Sequence, residues 1–177
     1  MKTENLQEWI GKTEERSDLL NAFPANAMAA TLNHEQLDYS ENKNLPPLWH
    51  WLYFLPIFRL SEAGYDGHAA LGDFLPPVQL PRRMWAGSRI EFLSPLKVGN
   101  EYKKKSKIKD VTAKSGRSGD LVFVTVSHQV SNGSTVCIKE EHDIVYREKA
   151  TSSSGPAKLI EAPKEFDFSI DINPDPV

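Results

Sequence analysis

The chain predicts an α+β fold in which a curved antiparallel sheet encloses one long buried helix, and three features of its 177 residues carry that prediction. The run PPLWHWLYFLPIF, from Pro46 to Phe58, sets five aromatic rings and four aliphatic side chains into thirteen residues and is too apolar all round for a surface helix. After it comes a connection rich in glycine and proline, GYDGHAALGDFLPPVQLPRR, which excludes a central strand. Beyond residue 83, four segments alternate with the period of two that a half-buried strand requires. A chain of this length supports one domain with its own core and is too short for two ordinary ones.

Residues Glu4 to Ile10 form a short helix, with Leu6, Trp9 and Ile10 on one side and Gly11 as its stop. Arg16 to Leu32 turns small and apolar, and Pro24 favours a first strand or extended arm there over a helix. Residues 33 to 46 are polar and read as a loop. The central helix is expected over Trp49 to Phe58, with Pro46 or Pro47 in its first turn and Pro56 limiting its end.

The strands follow as Met84 to Leu93, Tyr102 to Ala113, Leu121 to Val130 and Thr135 to Arg147, with Ser131-Asn132-Gly133 marking a hairpin turn. Val122, Val124, Val126 and Val130 share one face of the third, while Lys103, Lys105, Lys107 and Lys109 share a face of the second that must see solvent or an anion. Residues 1–148 thus read as a single module with an N-terminal helix and arm, and 149–177 as a linker-like acidic tail.

The net charge of -3 and a pI near 6.0 give no global attraction to nucleic acid or an anionic membrane. A single cysteine, Cys137, forms no internal disulfide and alternates as a strand residue does, in keeping with a reducing cytosol. The N-terminus has no run like a signal peptide, and the apolar stretch Leu45 to Leu60 is broken by prolines and too short to span a bilayer. A soluble cytoplasmic protein is expected.

The order of these elements, and several of their words, resemble the N-terminal half of the two-module MaoC-like acyl-CoA hydratases. That group includes the mesaconyl-CoA and 3-methylfumaryl-CoA hydratases and the type 2 hydroxyacyl-thioester dehydratases. The resemblance rests on LPPLWHWLYFLP (45 to 56), YDGH with GDFLPPVQLPRRMWAG (65 to 87), EFLSPLKVGNEY (91 to 102), KSGRSGDLVFVTVSHQV (114 to 130) and EEHDIVYRE (140 to 148). It implies a hot-dog fold and a pairing of two such modules, with an acyl chain lying in a tunnel between them. Coenzyme A is then part of the substrate, and no separate cofactor is expected.

The resemblance also implies that catalysis belongs to the second module, whose motif sets an aspartate and a histidine five positions apart. Here the residues five positions before His34, His50, His68, His128 and His142 are Ala29, Leu45, Ala63, Phe123 and Cys137, so no Asp-x4-His pair exists in the sequence. The chain reads as the binding and scaffolding module, and INPDPV at its end resembles the linker leading into a catalytic one. A self-sufficient hot-dog homodimer acting as thioesterase or hydratase, and a stand-alone acyl-CoA binding protein, are the competing readings.

Hydration of an enoyl thioester needs a base for water and an acid for the alpha carbon. The local pair to test is Asp66 with His68, whose loop could aim both at one cavity or could be held by Asp side-chain bonds to backbone amides. His50 and Trp51 in the aromatic segment, and Trp85 in the first strand, are candidate lining residues. Arg82 and Arg83 could hold a distal carboxylate in a dicarboxylyl-CoA, or serve an internal ion pair. The lysines at 103, 104, 105, 107, 109 and 114 with Arg117 suit coenzyme A phosphates or a solvated face. His128 and His142 alternate with buried positions and read as structural, and no cluster has metal-ligand spacing. Association is expected through a sheet edge near Thr135 to Arg147, as a homodimer alone or as a heterodimer with a catalytic module.

Overall fold

The computed structural model of the chain describes residues 4–35, 38–116 and 119–149. From residue 150 onward the expected acidic tail lies outside the described residues. A 3-10 turn, Glu4–Trp9, precedes β1 (Thr13–Leu19) and α1 (Ala22–Thr31). Two further 3-10 turns, Trp49–Leu52 and Leu60–Glu62, lead to β2 (Arg82–Phe92), β3 (Glu101–Gly116), β4 (Gly119–Asn132) and β5 (Thr135–Arg147). The five strands form one antiparallel sheet in the order β1-β3-β4-β5-β2.

The four strands after residue 81 stand where the alternation placed them. Val122, Val124, Val126 and Val130 of β4 are buried, and Ile138, Glu140, His142, Ile144 and Tyr146 of β5 line the same side. Register shifts at Trp85/Gly87, Ile108/Asp110 and Val130/Ser131 interrupt three of the four ladders, and such bulges bend a strand and increase its twist. Gly133, at φ +55°, opens the two-residue turn between β4 and β5, where a type II′ hairpin calls for glycine. Gly99, at φ +89°, sits against Glu41, whose Cγ would be 2.6 Å from an added Cβ.

The helix is not where the apolar run placed it. It is α1, in the segment expected as a first strand or arm, and it is ten residues long. Asn21 caps it by accepting the Phe23 N–H at 3.1 Å, and Pro24 falls in the first turn, where a missing N–H costs nothing because no intrahelical acceptor exists. Ala25 and Ala29, four residues apart on one face, are fully buried in a cluster with Tyr39, Tyr53, Phe54, Tyr102 and Val130. A second cluster joins Leu6, Val78 and Leu80 to Ile108, Val111, Tyr146 and the remaining valines of β4.

Within Trp49 to Phe58 only one 3-10 turn forms. Leu48 and Phe54 bracket it at φ +71° and +58°, left-handed conformations through which a right-handed helix does not run. Phe54 is buried, yet Leu55 is 64% exposed and Ile57 fully so. The segment is apolar all round because one side enters the core and the other forms an apolar surface.

The expected pairing edge also moves. β5 lies between β4 and β2, and the lysine-rich β3 lies between β1 and β4, so the free edges are β1 and β2. The lysines form a face and not an edge: Lys103 and Lys105 pair with Glu15, and Lys109 with Glu141. Among the described residues, no helix is long and apolar enough to cross a membrane.

Candidate functional site

The inner face of the sheet gathers polar groups at a place where the strand pattern alone would put hydrocarbon. On β5, Glu140 takes an inward position between Ile138 and His142 and is the one buried carboxylate among the described residues. His50 and Trp51, delivered by the 3-10 turn, meet it. His50 Nε2 is 3.3 Å from Oε2, and Trp51 Nε1 donates to both oxygens at 3.2 and 3.3 Å. Ser88 of β2 donates to Oε1 at 3.5 Å. Burial pushes the Glu140 carboxyl up, but the bonds from His50 and Trp51 and the nearby His142 and His128 outweigh it and hold the group below the ordinary carboxylate value.

His128 of β4 and His142 of β5 lie beside this group, with ring centroids 5.9 Å apart and planes at 78°. The indole of Trp51 runs nearly parallel to the His142 ring at 6.1 Å, and Trp85 approaches the same ring edge-on at 6.4 Å. His128 Nδ1 is 2.9 Å from the hydroxyl of Ser106, which is fully buried on β3. Burial, with Lys104 next, lowers the His128 imidazole to about 4, and burial likewise lowers His142. Both rings are therefore neutral near pH 7.

A cavity of about 340 Å³ opens on this face, with Phe54, Phe74, Val126 and Ile144 among its apolar walls. His68, Arg83, Lys104, His128 and His142 reach it as well. Asp66 accepts the His68 backbone N–H at 3.2 Å and the Arg83 Nε–H at 2.9 Å. Arg83 Nη2 lies 2.8 Å from the same carboxylate, close enough for an ion pair but at an angle that makes no hydrogen bond. Burial raises Asp66, while the His68 amide and Arg83 outweigh it and hold the carboxyl low. His68 itself is 72% exposed. Arg82, one position before Arg83 on the strand, is exposed and does not line the cavity.

His50 lines a separate cavity of about 420 Å³ with Phe92, Leu93 and Pro95, and its buried Nδ1 has no hydrogen-bond partner among the described residues. Among those residues no three His, Cys, Asp or Glu side chains come together as a metal site would require.

The sequence candidates therefore divide. His50 and Trp51 converge on Glu140, Trp85 on His142, and His68 and Arg83 on the cavity of the inner face, while Arg82 stands outside. Glu140 and Ser106 were missed as site residues, and Lys104, grouped with the other lysines for coenzyme A phosphates or a solvated face, instead reaches the inner cavity. The alternation Ile138, Glu140, His142, Ile144, Tyr146 already placed Glu140 on the buried side, where a carboxylate must find partners.

Residues 48–177 match the family model for hydroxyacyl-thioester dehydratase type 2. The chain belongs to this family. Its resemblance to the MaoC-like hydratases, read from its sequence words, thus finds its counterpart in a match that covers most of the chain. As a type 2 hydroxyacyl-thioester dehydratase homologue, it is 42% identical over 176 residues to a mesaconyl-C(4)-CoA hydratase of Chloroflexus aurantiacus. The alignment covers 99% of this chain and 63% of that protein, so the chain spans less than two thirds of its relative's length.

Two solved structures share the fold at low identity. The ChsH1–ChsH2 complex from Mycobacterium tuberculosis contains a chain that superposes with a TM-score of 0.61 at 14% identity, covering 89% of this chain and 96% of that one. A hot-dog-like protein from Thermanaerovibrio acidaminovorans gives 0.50 at 11% identity, covering 83% and 89%. The family member described here accordingly has a hot-dog fold.

Proposed function

We propose that this chain is the substrate-binding and scaffolding module of an acyl-CoA hydratase, paired with a second hot-dog module that supplies the catalytic acid and base. The observation that carries this reading is the condition of Glu140. A general base must offer a lone pair toward water or substrate, and the one buried carboxylate of the described residues spends both oxygens on Trp51, His50 and Ser88. Asp66 is likewise engaged by Arg83 and the His68 amide, which leaves the loop pair poorly set for acid–base work. What remains is a cavity with apolar walls, bordered by imidazoles, by the cations Arg16, Arg83 and Lys104 and by the carboxylates Glu14 and Asp73, suited to holding an acyl thioester.

Similarity to a mesaconyl-C(4)-CoA hydratase favours a short, branched dicarboxylyl-CoA as substrate, with coenzyme A as part of it and no further cofactor. The edge strand β2 carries Met84, Trp85 and Phe92 exposed, whereas β1 is charged (TEERSDL), and this contrast favours β2 as the edge that meets the second module. The setting fits a soluble cytoplasmic enzyme.

The test is turnover of mesaconyl-CoA and crotonyl-CoA by the purified chain. No hydration is expected from the chain alone, and hydration is expected when a catalytic hot-dog module is present. Robust turnover by the chain alone, lost in Asp66→Asn or His68→Ala, would establish the self-sufficient enzyme instead.

A further inference from the structure

Lys104 departs from the pattern of its strand. Lys103, Lys105, Lys107 and Lys109 point outward, whereas Lys104 is carried onto the inner face by the strand's period of two and is half-buried there. Its Nζ lies 5.5 Å from the centroid of the Phe54 ring, and no carboxylate of the described residues comes within ion-pair distance of it. The other cations at the same cavity are compensated: Arg16 pairs with Glu14 at 3.0 Å, and Arg83 with Asp66 at 2.8 Å. The imidazoles of His128 and His142 are neutral, and Glu140 is turned toward His50 and Trp51.

Among the cations at the cavity, Lys104 is therefore the one without an ion pair at contact distance: it stands beside the walls Phe54, Leu71, Phe74, Leu75, Val126 and Ile144, with Asp73 also on the lining and Glu14 and Glu140 attracting the ammonium from farther away. Half-burying a charge without a contacting counterion is costly: burial first, and then Arg16, lower the Lys104 ammonium, and the more distant Glu14 and Glu140 offset this only in part. An entering anion removes that cost. An ammonium free of a contacting carboxylate, set against an apolar wall, suits a ligand with one carboxylate and a hydrocarbon body. The pyrophosphate and 3'-phosphate of coenzyme A bring several negative charges, which the outward lysines suit better.

We propose that Lys104 is the specificity-determining residue that anchors the carboxylate at the far end of the acyl chain, the role that sequence reasoning offered to Arg82 and Arg83. The inference rests on the reading of this chain as an acyl-thioester-binding module. It makes the preferred ligand a thioester of a dicarboxylic acid and predicts discrimination against a fatty acyl group of the same length.

Affinities of the full chain for succinyl-CoA and butyryl-CoA, matched in chain length and different at the far end, test it by calorimetry. The wild type should prefer succinyl-CoA. Lys104→Met should weaken succinyl-CoA by about tenfold or more and leave butyryl-CoA unchanged, while Lys104→Arg should retain part of the preference. Equal weakening of both ligands would assign Lys104 to the coenzyme A phosphates and overturn the carboxylate. Unchanged binding of both would remove Lys104 from recognition while leaving the acyl-thioester module intact. Failure of the wild type to bind either would overturn the module reading along with this one.

Discussion

His50 and Glu140, 90 residues apart in sequence, meet at 3.3 Å on the inner face of the sheet, with Trp51 donating to the same carboxylate from the adjoining position. The contact ties the 3-10 turn to β5 and makes the buried acid a fixed structural centre. Replacing Glu140 with Ala removes the acceptor and leaves the buried His50 ring nitrogen behind, a cost of about 1–3 kcal/mol, with less from the more exposed Trp51 and Ser88. Glu140→Gln keeps an acceptor and should cost less. Denaturant unfolding of the two variants checks this ordering, and equal stability of Glu140→Ala and wild type would contradict it.

The same carboxylate gives the fold a dependence on acid. Its value is depressed in the folded state, so its contribution is fully present above the ordinary carboxylate range and is lost as pH falls through the lower, folded value. His128 acts at higher pH. Folded, it protonates at about 4, against an ordinary value of 6.5. Between those two values the unfolded chain binds a proton that the folded chain does not, so stability should decline as pH falls from 6.5 toward 4. NMR titration should find the His128 ring still neutral at pH 6, and a midpoint near 6.5 would contradict the burial argument.

The aromatic segment offers a contrast within four residues. Phe54 is 3% exposed and Ile57 100% exposed. Phe54→Ala should cost about 3–5 kcal/mol, as truncation of a buried aromatic does. Ile57→Ala should change the stability of the isolated chain by less than about 0.5 kcal/mol. Thermal melts of the two variants decide whether this segment has one buried side or two.

Strands β4 and β5 were legible because valine alternates on one and because His142 falls in step with Val136, Ile138, Ile144 and Tyr146 on the other. β1 was not, since its inward positions are Glu14, Arg16 and Asp18, and hydropathy shows no period when both faces are polar. Asp18 nevertheless has a structural use, accepting the Phe54 N–H at 2.8 Å. The helix carried a readable start signal, Asn21 ahead of Pro24, but its alanine-rich body offered no apolar stripe to set against the Trp49 to Phe58 run. The left-handed turns at Leu48 and Phe54 left no trace in residue type, because leucine and phenylalanine are not residues that favour them. Of the site, the imidazoles and Trp51 were visible one by one, and their convergence on Glu140 required the pairing of β5 with β2 and β4.

As proposed, this chain binds the thioester and a second hot-dog module supplies the acid–base chemistry. Single-turnover hydration of mesaconyl-CoA by this chain paired with a catalytic hot-dog module, in which the Asp and His of that module's Asp-x4-His motif are replaced by Asn and Ala, separates the two roles. Hydration should fall by at least the roughly 10²–10⁴-fold typical of a lost general acid or base, to background, while acyl-CoA binding persists. Hydration that survives those replacements, and disappears only when Glu140, His128 or His142 of this chain is changed, would contradict this division of roles.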